Sequence, residues 1–130
     1  VAMFIRFVTD QLDHDTNEPL GIFGAAYRLL DDAQIPDYSR AEIRSTLNWF
    51  KTHLPIPDRF VRSRKPHRED NGICWFKTQA GDCMRHIRYL VVLVSEHDIA
   101  VRELITETPG YMIYEDDSQV VAQPFSSTPR

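Results

Sequence analysis

The chain reads as an α+β domain, a small, mostly antiparallel sheet with three helices packed on one face, in the order β-α-α-β-α-β-β-β. Three observations predict this. Apolar residues recur at helical spacing in three separate segments, short β-prone runs flank them, and the last third places turn residues between apolar stretches. At 130 residues, with 42% hydrophobic and 26% charged side chains, the chain has the length of one ordinary domain and the composition of a globular one. A single domain is expected over residues 3–125, with 126–130 as a flexible tail.

Phe4 to Val8 form the first β-prone run, and the polar stretch from Thr9 to Glu18 has the composition of a surface loop. From Pro19 the period changes to that of a helix, with Ile22, Phe23, Ala26, Leu29, Leu30 and Ala33 on one stripe and Pro19 in the first turn. Ser39 and Glu42 have capping-box spacing, which predicts the start of a second helix at Ser39. Ile43, Leu47, Phe50 and Leu54 then line one face until Pro55-Ile56-Pro57 stops the backbone ladder.

Asp58 to Asn71 read as an exposed connection. Ile73 to Phe76 follow as a short buried strand, and Gln79 to about His97 as the longest and most buried helix, carrying Cys83, Ile87, Leu90, Val91 and Val94 inward. Three C-terminal strands are expected at Ile99 to Thr106, Tyr111 to Glu115 and Gln119 to Phe125. Pro109-Gly110 has the residues of a type II turn and predicts a hairpin between the first two of these, while Glu115 to Ser118 supply a second turn.

A formal charge of −4 and a pI near 5.7 make the whole molecule a poor non-specific ligand for nucleic acid or anionic membrane. The longest apolar run, Tyr89 to Val94, is far shorter than the roughly 20 residues of a spanning helix. The opening residues carry Arg6 inside an apolar stretch and do not read as a signal peptide. Two cysteines, Cys74 and Cys83, make no disulfide framework, so reduced thiols in a cytoplasmic protein are the simpler expectation.

Taken together, Leu54-Pro55-Ile56-Pro57, Cys74-Trp75-Phe76-Lys77, Glu96-His97, and Pro109 to Asp117 running on through Gln119-Val120-Val121-Ala122 resemble a family of small bacterial proteins sharing LPxP, CWFK and YEDxxQVV segments. The resemblance spans Phe4 to Phe125. It implies a bacterial or phage-borne cytosolic protein, and since no activity is attached to that family it transfers no functional residue.

Two surface features carry the functional expectations. Arg59, Arg62, Arg64, Lys65 and Arg68, interleaved with Phe60 and His67, are the residues best suited to phosphate, because arginine forks match its oxygens in pairs. The plainer reading is a solvated loop whose arginines pair with Asp58, Glu69, Asp70 or the acidic C-terminal turn. That turn, Glu115-Asp116-Asp117 with Tyr111 and Tyr114 beside it, is the second feature, and suits a docking patch for a partner. As a cation site it is poor, since adjacent side chains on a strand point to opposite faces.

Asp10, Asp13, His14, Asp15 and Glu18 have metal-ligand side chains without the spacing of a calcium loop, and Cys83 with His86 lacks the companion pair of a zinc site. Cys74 with His86 or His97 is the obvious thiol and base, but an apolar surrounding disfavours the thiolate. The reading is therefore a non-enzymatic interaction or regulatory module with a protein partner, no cofactor, no metal and no membrane. A homodimer through a C-terminal sheet edge is left open, and the alternative is a nucleic-acid-binding or nucleic-acid-processing protein that uses Arg59 to Arg68.

Overall fold

The computed structural model describes residues 2–54 and 72–129. Its elements are β1 (Phe4–Leu12), β2 (Pro19–Gly21), α1 (Ile22–Leu30), α2 (Asp37–His53), β3 (Ile73–Lys77), α3 (Gly81–Ser95), β4 (Val101–Thr106), β5 (Tyr111–Glu115) and β6 (Gln119–Gln123). Among the described residues these make an α+β fold with three helices and an antiparallel six-stranded sheet. The strand order is β2-β1-β3-β6-β5, with β4 paired to β1. No described helix is long and apolar enough to cross a membrane.

The chain forms two compact units, to both of which β1, α3 and β4 contribute residues. The first holds 2–6, 54, 72–84 and 104–129 of the described chain. Its sheet register sets Phe4 against Lys77 and Ile5 against Phe76, then Trp75 against Val120 and Cys74 against Val121. Phe4, Trp75 and Val120 form a buried cluster that Ile73 and Leu104 cover. β6 is buried along nearly its whole length, at Gln119, Val120, Val121 and Ala122, which is why it reads as an apolar run instead of an alternating one.

The second unit is Phe7–His53 with Arg85–Glu103. In α1, Ile22, Ala25, Ala26 and Leu29 are buried at spacings of three and four, and α2 buries Ile43, Thr46, Leu47 and Phe50 on the same rule. The two helices meet through Phe23 and Phe50, edge to face with ring centroids 5.0 Å apart. Each large aliphatic or aromatic side chain so buried contributes about 1.5–3 kcal/mol. The Thr46 hydroxyl, buried among them, is satisfied by the Glu42 carbonyl at 3.0 Å.

Arg40 ties the start of α2 to the end of α1. Its Nε donates to the Leu30 carbonyl at 3.2 Å, one terminal nitrogen donates to the Asp32 carbonyl, and the other pairs with Asp37 at 3.3 Å. Carbonyls left over at a helix C-terminus thereby gain a charged donor.

Four local expectations are corrected. β1 runs on to Leu12 instead of ending at Val8, because Thr9 is buried with its hydroxyl donating to the Leu20 carbonyl at 3.0 Å and Val8 pairs with Gly21. Pro19 consequently opens β2, a strand the sequence did not announce, and α1 begins only at Ile22. α2 starts at Asp37, where Arg40 N–H already bonds to the Pro36 carbonyl, so Ser39 lies buried inside the first turn and is not the cap. Lastly, β4 and β5 form no hairpin, since β4 pairs with β1 and β5 with β6.

Gly110 does take a positive φ of 132°, as its turn chemistry suggests. Beyond β6, Thr128 is buried and its hydroxyl bonds the Thr108 carbonyl at 3.2 Å.

Candidate interaction site on the C-terminal hairpin

β5 and β6 are joined at residues 116–118, and their register runs Tyr111 to Gln123, Met112 to Ala122, Tyr114 to Val121 and Glu115 to Val120. Met112 and Tyr114 have one residue between them, while their partners Ala122 and Val121 are adjacent, so Ile113 is the extra residue of a bulge. β5 ends the strand path, and a bulge there breaks the regular edge that another strand would need in order to add on.

The Asp116 carboxylate organises the turn. One oxygen accepts the Ser118 and Gln119 backbone N–H groups at 2.8 and 3.0 Å, and the other accepts the Tyr114 hydroxyl at 2.8 Å and the Gln119 side-chain amide at 3.0 Å. Gln119 is 1% exposed, and its amide oxygen in turn accepts the Cys74 thiol at 3.1 Å. Burial pushes the Asp116 pKa up, but the bonds from Gln119, Ser118 and Tyr114 outweigh it and hold the carboxyl below the usual range. For Cys74, desolvation and then the nearby Asp116 charge push the thiol up to about 12. Desolvation and Asp116 likewise raise Cys83 to about 11. Both shifts disfavour the thiolate form at neutral pH.

The five hairpin residues singled out from the sequence therefore separate into different situations. Tyr114 and Asp116 are spent on each other and on the turn. Glu115 is exposed but pairs with Lys77 at 2.6 Å, whose side chain is largely covered. Asp117 is exposed. Tyr111, 62% exposed, lies at the other end of the strand, on the order of 13 Å from the acidic turn at the usual rise per residue. Beside it Met112 is also exposed. Arg59, Arg62, Arg64, Lys65 and Arg68 lie outside the described residues, as does His67.

The indole of Trp75 is fully buried, its N–H has no hydrogen-bond partner among the described residues, and the Arg6 guanidinium stands 5.5 Å from the ring centroid.

In the second unit, Asp13 accepts the Asp15 and Thr16 backbone N–H groups at 2.8 and 3.1 Å, and the bonds from Thr16 and Asp15 lower its pKa. Asp10 accepts the Ala100 N–H at 3.2 Å. These carboxylates hold loops. Among the described residues, no three or more His, Cys, Asp or Glu side chains gather in a way that could hold a metal ion.

Sequence reading missed an aromatic stack in the same unit. The Trp49 indole lies parallel to His53, with centroids 4.4 Å apart, and to His86, at 3.6 Å. His53 is also anchored by its Nδ1–H, which donates to the Trp49 carbonyl at 2.8 Å. The spacing of Trp49 and His53, four apart on one helix, was a signal for half of this arrangement.

No protein-family model, no curated protein and no solved structure matches the chain.

Proposed function

We propose that the chain is a non-enzymatic interaction module that engages a protein partner through the C-terminal hairpin. One observation carries the reading: the Asp116 carboxylate takes four hydrogen bonds from its own hairpin, which fixes β5 and its turn in place before any partner arrives. A preorganised surface loses less entropy on association than a loose one. On that frame Tyr111 and Met112 present apolar area at one end, and Asp117 with the Lys77-paired Glu115 presents carboxylate at the other. Tyrosine and methionine are among the side chains that interfaces favour, and rim carboxylates chiefly set association rate and salt dependence. Two cysteines that form no disulfide, Cys74 and Cys83, suit a reducing, cytosolic setting. That setting, in a bacterium or phage, belongs to the same proposal.

The test is capture from a cell extract by the tagged chain, compared with a Tyr111→Ser, Asp117→Lys double variant that leaves the Asp116 bonds intact. The expected result is a defined set of proteins retained by the parent, released with rising salt and lost in the variant. Equal retention by parent and variant would sink the reading. Retention abolished by nuclease would favour instead nucleic-acid binding through Arg59 to Arg68.

A further inference from the structure

We draw no further inference here: the strongest candidate, the outward edge of β5 around Tyr111 and Met112, belongs to the site already described, and nothing in the structure shows what covers it.

Discussion

The Gln119 side chain stands between Cys74 and Asp116, accepting the thiol at 3.1 Å through its oxygen and donating to the carboxylate at 3.0 Å through its nitrogen. Both ends of a buried amide are thus satisfied, and its orientation is fixed, because the carboxylate can only accept. Replacing Asp116 by Asn removes a charged acceptor from four donors. Charge-assisted bonds are the stronger kind, so Asp116→Asn is expected to cost about 2–3 kcal/mol at pH 7, read from urea midpoints.

The pH dependence of that cost has a definite sign. Asp116 is held below its ordinary pKa, so its contribution is complete above the unfolded-state value near pH 4 and is lost as the pH falls through the lower folded-state value. The gap between parent and Asp116→Asn should therefore stay constant from pH 7 to about pH 5 and close below about pH 4. A gap that persists undiminished at pH 3 would show that the carboxylate's charge contributes nothing.

Thiol chemistry gives an independent check. With Cys74 raised to about 12 and Cys83 to about 11, alkylation by iodoacetamide at pH 8 should be negligible in the folded protein and complete in denaturant. Mass spectrometry of the timed reaction counts both. Rapid labelling of Cys74 in the folded state would contradict its bond to Gln119.

At Gly110, a Cβ would run into the carbonyl of Gln123, and the backbone sits at a φ that other residues strain to adopt. Gly110→Ala should destabilise by more than about 3 kcal/mol or prevent folding. Gly81→Ala serves as the contrast: nothing stands within 4 Å of its Cβ position at the start of α3, so it should be neutral or stabilise by up to about 1 kcal/mol. Thermal denaturation of the two side by side tests the placement of the hairpin.

Arg40 satisfies two carbonyls and one carboxylate from a single planar group. Lysine has the charge without the fork. Arg40→Lys and Arg40→Ala are therefore both expected to lose about 1–2 kcal/mol, with lysine recovering less than half of the difference. A lysine variant as stable as the parent would mean that charge near the end of α1 is all that matters.

Much of this architecture was legible before the structure. The helices announce themselves because burial on one face writes a period of three to four residues into Ile22 to Leu29 and Ile43 to Phe50. What failed was partner choice over distance. Thr9 looked like loop because its polar side chain gave no hint of the Leu20 carbonyl that satisfies it. Pro109-Gly110 correctly signalled a special backbone, yet local turn chemistry cannot say that β4 will pair with β1, a strand some ninety positions earlier.

The site was legible in the same partial way. The acidic turn was visible as composition, but its division into one consumed, one paired and one exposed carboxylate was not. An aspartate followed two and three residues later by free N–H groups is a known local pattern, and Asp116 fits it. Its bond to Gln119 required knowing that β6 turns that side chain inward.

The two tryptophans fall in different units, Trp75 buried against Phe4 and Val120 with the Arg6 guanidinium over its ring, and Trp49 stacked with two imidazoles. Each half of the molecule thus carries its own built-in optical reporter, and the environments differ enough for their emissions to be told apart once one indole is replaced by phenylalanine. Whether the halves melt as one cooperative body or in sequence can be read from light the protein already emits, with no added label.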